Sequence, residues 1–300
     1  MNYREMMFLR AVRKNGLVAV LATSPSTPAE VAEETGITER AASISLEALV
    51  GLGFLTANDG TYEATDRLRR LHTDDVAEMS SLAFRLDGLE RWITLPETMY
   101  TNDPVDSPEN YTNHYMGAMH DMDEETVRAC VTAAVHQHPD AEQVADVGGG
   151  PGAFAREFVK QGHEVTLVDR PDVIGLDEQL LDSEPITLVE GDIRESVPGE
   201  HDLVFCSRVF QTLSPEENRR ILNAAYDALS PGGSVVLIEV VRGRSPDARM
   251  FGVTMLAQAD SDGNTYTESQ YRDWFHDAGF EDVRVTDVPG TKYQTVAGDR

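Results

Sequence analysis

The stretch that most constrains this chain is residues 143–170, QVADVGGGPGAFAREFVKQGHEVTLVDR. Val144, Ala145 and Val147 make a short apolar run that stops at glycines, the pattern of a buried strand. Gly148, Gly149, Gly150 and Gly152 then permit a tight turn whose backbone can lie close to a ligand. Residues 153–160 predict a helix with Phe154, Phe158 and Val159 on its apolar face. Residues 164–168 predict a second strand, which ends at Asp169. The acid follows the glycine turn by about 20 residues, a spacing that suits a nucleoside-containing ligand. The helix N-terminus and bare backbone would take its polar end, and the carboxylate its ribose hydroxyls. Asp146 and Asp169 flank the turn as a cofactor site would use them. Gly148, Gly150 and Ala153 also satisfy G-x-G-x-x-G/A, so this segment alone leaves NAD open.

Three hundred residues are enough for a large core and predict two domains. The chain carries 25 Lys+Arg against 52 Asp+Glu, a formal net charge of −27. Hydrophobic content of 41% is enough to fold, so the acid excess does not imply disorder. Such a surface repels nucleic acid and anionic membranes. Acids outnumber bases along nearly the whole chain, which points to a high-salt cytoplasm and a halophilic source. The two cysteines, Cys130 and Cys206, lie far apart without metal-like spacing, which fits a reduced cytosol and predicts no metal centre. No apolar run approaches the length that spans a bilayer. Charge interrupts the first residues, MNYREMMFLRAVRKNG, so they do not read as a secretory signal, and a cytoplasmic protein is expected.

Met6, Met7, Leu9, Val12 and Leu17 follow helical spacing. Thr27, Pro28 and Glu30 make a strong helix start, with the helix ending at Gly36. Thr38 caps the next helix, which runs to Gly51 or Gly53. Residues 54–64 predict a hairpin around Asp59-Gly60. Helices and a hairpin in this order make a winged helix. Its second helix carries Arg40 against Glu39 and Glu47 with no basic cluster, so packing and dimerisation are favoured over DNA binding. Residues 71–100 predict one or two amphipathic helices, and residues 101–113 a polar linker. Two helices follow, one through Tyr115, Met116, Met119 and His120 and one over residues 127–135, placed in sequence to wall a ligand cleft.

Residues 186–190 and 201–206 predict the third and fourth strands. Ser214-Pro215-Glu216-Glu217 opens a helix that Pro231-Gly232-Gly233 ends, and residues 234–241 (SVVLIEVV) predict a fifth strand, apolar on both faces. Residues 270–278 predict a helix, and residues 283–288 and 293–297 a final hairpin. A ligand beyond the carboxyl ends of strands one to four would meet the glycine turn, Asp169, Asp192 and Ser207.

The ordered segments DVGGGPG, VDRPDVI, GDIRESVPGEHDLVFCSRVFQTLSPEENRRIL and LSPGGSVVLIEVV resemble the small-molecule O-methyltransferases that use S-adenosylmethionine. These are the caffeate, hydroxyindole and polyketide types with an N-terminal winged-helix dimerisation domain. The resemblance covers essentially the whole chain. It implies an α/β Rossmann-like domain with a mainly parallel seven-stranded sheet and an antiparallel last strand at residues 136–300. It also implies a winged-helix domain at 1–100, cleft-lining helices at 101–135 and a homodimer. It places Gly148 near the cofactor's methionine end, Asp169 on the ribose, Asp192 and Ile193 on the adenine, and Ser207 near the carboxylate or amino end. Asp146, Gly150, Arg170 and Arg208 complete the expected cofactor set.

The resemblance breaks at the base. The family's His, followed by Asp-Trp after strand four, is here Gln211-Thr212-Leu213, and a Gln amide cannot take a proton at neutral pH. Glu239 matches the family's first acid, while Thr265 stands at its second. The acceptor is expected against Gln211, Glu239 and His120, with His114 a lesser candidate base. Met116, Met119, Phe210, Met250, Phe251 and Met255 are expected as apolar walls. A planar or lipophilic acceptor follows, methylated by positioning or with His120 as base. A cofactor-binding enzyme that does not methylate, or a ligand-sensing regulator, is the alternative.

Overall fold

A computed structural model describes residues 1–103, 106–108, 110–258 and 262–300. Two compact units emerge: Met1–Glu90 with Ser107–Asp121, and Arg91–Asp106 with Met122–Arg300.

The chain opens with α1 (Tyr3–Lys14), α2 (Leu17–Thr23), α3 (Pro28–Thr35) and α4 (Glu39–Gly51). The apolar spacing from Met6 to Leu17 predicts one helix, but Gly16 at φ +81° divides it, a conformation that closes one helix and opens the next. Thr27 and Glu30 cap α3 reciprocally around Pro28, as expected. Strands β1 (Leu55–Asn58) and β2 (Thr61–Ala64) form the expected hairpin. Both turn residues, Asp59 and Gly60, have positive φ, as a two-residue hairpin turn requires. A bridge from Ser26 to Tyr62 ties the hairpin to the start of α3. Leu9, Val31, Leu46 and Phe54 fill the core between them.

Next come α5 (Asp66–Arg69), α6 (Ser81–Ile93), α7 (Leu95–Thr101) and α8 (Tyr111–His120). Of the helices expected over residues 71–100, the first residues are not helical. Residues 104, 105 and 109 of the expected linker lie outside the described residues. In the first unit, Asp87 is buried between Arg13 at 2.9 Å and His114 Nδ1 at 2.5 Å, which joins α1, α6 and α8. His114 is therefore committed to a buried hydrogen bond with Asp87.

The second unit holds α9 (Glu124–Val135), β3 (Gln143–Val147), α10 (Ala153–Lys160), β4 (Glu164–Asp169), α11 (Pro171–Leu180), β5 (Ile186–Glu190) and β6 (His201–Ser207). After a 3-10 turn at Phe210–Thr212 come α12 (Pro215–Ala228), β7 (Leu229–Glu239), α13 (Ala248–Gln258), α14 (Glu268–Asp277), β8 (Glu281–Asp287) and β9 (Gln294–Asp299). The sheet order is β5-β4-β3-β6-β7-β9-β8, with β9 antiparallel to both neighbours and the adjoining pairs from β5 to β7 parallel. Helix α12 ends before the Pro231-Gly232-Gly233 stop. The register jumps from His201–Leu229 to Leu203–Ser234, so these residues form a bulge inside β7.

Alternation along the strands sends residues to opposite faces. Leu203 and Phe205 of β6 join Phe154 and Phe158 of α10 on one side. Val204 and Cys206 join Leu222 of α12 and Trp274 of α14 on the other. Strands are added outward in one direction from β3 to β5 and in the other from β6 onward, so the order reverses between the parallel neighbours β3 and β6 and opens a crevice at their carboxyl ends. Phe158 is wholly buried and packs edge-on to Phe205 with ring centroids 5.0 Å apart, clamping α10 to the sheet. Phe158→Ala is expected to cost about 3–5 kcal/mol, read as a lowered denaturant midpoint.

Candidate cofactor and acceptor site

The glycine turn sits at that crevice. Gly148 continues the ladder by donating to the Val168 carbonyl at 2.8 Å. It stands at φ +70°, and a Cβ there would come within 2.7 Å of Val209 Cγ2. Only glycine meets both demands. The Gly150 amide donates to Asp169 Oδ2 at 3.0 Å, and the Arg170 amide to Asp169 Oδ1 at 2.8 Å. Two amides thus aim one carboxylate, while burial raises its pKa. The Arg170 guanidinium is exposed and pairs with Asp172 at 3.0 Å. Arg170 therefore contributes its backbone here.

Asp146 lies beneath the turn with neither carboxylate oxygen hydrogen-bonded, and burial together with Asp169 pushes it up to about 7. Asp177 is equally orphaned. Burial, then Asp169 and Asp146, push it up to about 8. The sequence reading missed Asp177, although it shares the apolar stripe of α11 with Val173 and Ile174. Asp192 is held well below the carboxylate range, to about 2, chiefly by hydrogen bonds from Arg194. Ile193 beside it would lie 3.6 Å from a Cβ on Gly148.

At the end of β6, Ser207 Oγ and Arg208 Nε are buried polar atoms without a partner. Arg208 adopts φ +60°, a costly conformation for a residue with a Cβ. Its guanidinium lies over the Phe154 ring at 5.6 Å.

The 3-10 turn carries Gln211, which is buried with its side-chain oxygen unpaired. The sequence reading put Glu239 on the acceptor wall. Instead it is wholly buried, and its Oε1 accepts from the Phe210 amide at 3.0 Å. It supports the Gln211 turn from below. Burial pushes its carboxyl up to about 8. Glu239 is in register with Gln294 of β9, whose side-chain oxygen accepts from the Val241 amide at 2.9 Å. Thr265 is buried and donates to the Ala248 carbonyl at 2.9 Å.

A cavity of about 580 Å³ adjoins this turn, lined in part by Thr265, Asn264 and the α13 residues Val253 and Leu256. The expected apolar walls Phe210, Met250, Phe251 and Met255 are not among its lining residues. Phe210 belongs to the core and Met250 is exposed. His120 ends α8 in the first unit, half-buried, with His114, Met116 and Met119 on the same helix, and the other expected residues lie in the second. No cluster able to hold a metal occurs among the described residues. No described helix is long and apolar enough to cross a membrane.

The O-methyltransferase domain family matches residues 98–281. A 3-hydroxy-5-methyl-1-naphthoate 3-O-methyltransferase from Streptomyces sahachiroi is 27% identical, over 92% of this chain and 86% of its own. A 3-amino-4-hydroxybenzoate 4-O-methyltransferase from Streptomyces cremeus is 33% identical over 52% of this chain, and the match spans 45% of that protein. The fold matches human N-acetylserotonin methyltransferase, solved with S-adenosylmethionine, with a TM-score of 0.67 and 21% identity over 99% of this chain and 94% of that one. The chain belongs to the O-methyltransferase domain family, and so is a transferase that uses S-adenosylmethionine to methylate small molecules. The dehydrogenase reading that the glycine pattern left open is not favoured.

Glu239 makes a pH prediction. Its folded pKa lies above the unfolded 4.5, so its contribution to stability is complete below 4.5 and is lost as pH rises to about 8. Glu239→Gln is expected to flatten this fall, by at most about 1.4 kcal/mol per pH unit, in denaturant titrations across that range.

Proposed function

We propose that the second unit holds S-adenosylmethionine across the glycine turn and presents it to the hydroxyl of a small planar or lipophilic acceptor. The observation that carries this reading is Asp169, fixed by two amides beside the crevice where the strand order reverses. Each of its oxygens accepts one bond and has room for another, so it can take the ribose hydroxyls. Ile193 packs on the adenine and Asp192 takes its polar edge. Ser207 Oγ and Arg208 Nε, buried without partners, are donors suited to the cofactor's carboxylate end. The strained backbone of Arg208 supports a binding role there. Gly148 and Gly150 leave the backbone bare, Asp146 underlies it, and Arg170 gives the amide that orients Asp169.

S-adenosylmethionine, when bound, supplies an electrophilic methyl group: the acceptor oxygen gains it, sulfur keeps the electron pair of the broken bond, and the hydroxyl proton is released. The chain's share is to hold the acceptor oxygen in line and exclude water. Gln211 can hydrogen-bond the acceptor but cannot take its proton. Glu239 acts through the turn it supports, as a positioning residue. His120 keeps the place of candidate proton acceptor on its sequence position alone.

The first unit we read as a winged-helix homodimerisation module. The hairpin bridged to α3 and the exposed Tyr3, Met7 and Ile44 support this. The charge of −27 supports a cytoplasmic protein of a salt-rich, halophilic and by its composition haloarchaeal source, acting on small molecules and not on nucleic acid.

Asp169→Ala is expected to abolish measurable binding of S-adenosylhomocysteine in calorimetry while the thermal unfolding transition survives. Unchanged affinity refutes the site. With no His at position 211, the pH midpoint of kcat/KM is expected to follow the acceptor's own pKa across a series of phenols. A midpoint fixed near about 6.5 for every acceptor would instead reveal a histidine base.

A further inference from the structure

The cavity beside the Gln211 turn has a charge pattern that runs against the rest of the molecule. It is contiguous with the turn, because a Cβ on Gly263, one of its lining residues, would strike the Gln211 carbonyl at 2.6 Å. Two arginines, Arg242 and Arg249, are among its lining residues. Arg242 directs its donors to neutral oxygens: Asn264 Oδ1 at 2.7 Å, and the hydroxyl and carbonyl of Thr265. Its charge meets no carboxylate within ion-pair distance among the described residues. Arg249 is exposed and makes no hydrogen bond or ion pair among the described residues. Among the described residues the carboxylate on the wall is Asp262, which accepts from Asn102 at 3.2 Å. A chain of net charge −27 would by composition line such a cavity with acid.

The remaining wall is suited to a flat ring. Val253 and Leu256 supply apolar surface. Gly252 keeps the space open, since a Cβ there would lie 2.8 Å from Asn264 Oδ1. We propose that the acceptor is an aromatic hydroxy acid whose carboxylate is held by Arg249 in the field of Arg242. This rests on the methyltransferase reading above and names the acceptor class. The guanidinium fork matches a carboxylate in shape as well as charge. Fixing that end of a rigid ring turns the opposite hydroxyl toward the Gln211 turn. Arg249 is then a specificity residue, separating acids from their neutral esters.

The test is calorimetry on the full chain saturated with S-adenosylhomocysteine, titrated with 4-hydroxybenzoate and 3-hydroxy-1-naphthoate, each beside its methyl ester. Molar KCl is the right medium, because screening to about 3 Å leaves only contact pairs. At least one acid is expected to bind about tenfold or more tightly than its ester, with the same preference in KM. Arg249→Gln is expected to erase the preference and Arg249→Lys to restore part of it. Unchanged affinity of both variants for S-adenosylhomocysteine reports an intact fold. Esters that bind as well as acids, an undiminished preference in Arg249→Gln, or no binding by either acid each overturn the assignment. Failure of S-adenosylhomocysteine itself to bind instead removes the function on which the assignment rests.

Discussion

One hydrogen bond gathers the site, that from the Gly150 amide to Asp169 at 3.0 Å. It joins the turn after β3 to the end of β4, beside the point between β3 and β6 where the strand order reverses. It needs a backbone that only glycine adopts cheaply, with Gly148, Gly150 and Gly152 all at positive φ. It also needs the two strands in register, since Val147 pairs with Val168 immediately below. The buried sheet therefore sets the position of the carboxylate to which the proposed function assigns the ribose.

Much of this was legible because it is local. The strand, turn, helix and acid of residues 143–169 can be read from glycines and apolar runs alone, and α10 has the expected bounds. The caps at Thr27 and Ser214 declare themselves by residue type and spacing. Helix α13 did not, because ARMFGVTMLAQ is apolar with little periodicity, so its residues read as pocket walls rather than as a helix. Glu239 was legible as a site residue, but its place beneath the Gln211 turn was not. At the last position of a strand, side-chain direction depends on the register of both neighbours, which the residues alone do not state. The arginine-lined cavity required β7, α13 and the segment before α14 to be brought together.

The acid of this chain works in two opposite ways. Outside, carboxylates are ionised and paired, as Asp192 is by Arg194 and Asp299 by Arg284. Inside, Asp146, Asp177 and Glu239 are stripped of water and pushed toward their neutral forms. The inner acids cluster below the glycine turn and the Gln211 turn, the two places to which the proposed function assigns ligand contact. Loss of the family's His at position 211 leaves this support in place, so binding geometry and proton removal are separate problems in this chain.

The pairing of Glu239 with Gln294 sets a timetable for biosynthesis. Strands β3 to β6 leave the ribosome well before β9, and each can find its parallel neighbour as it emerges. The support under the Gln211 turn is complete only when β9 has inserted between β7 and β8. The part of the sheet beneath the Gln211 turn is therefore framed on both sides only by the last strand to be made.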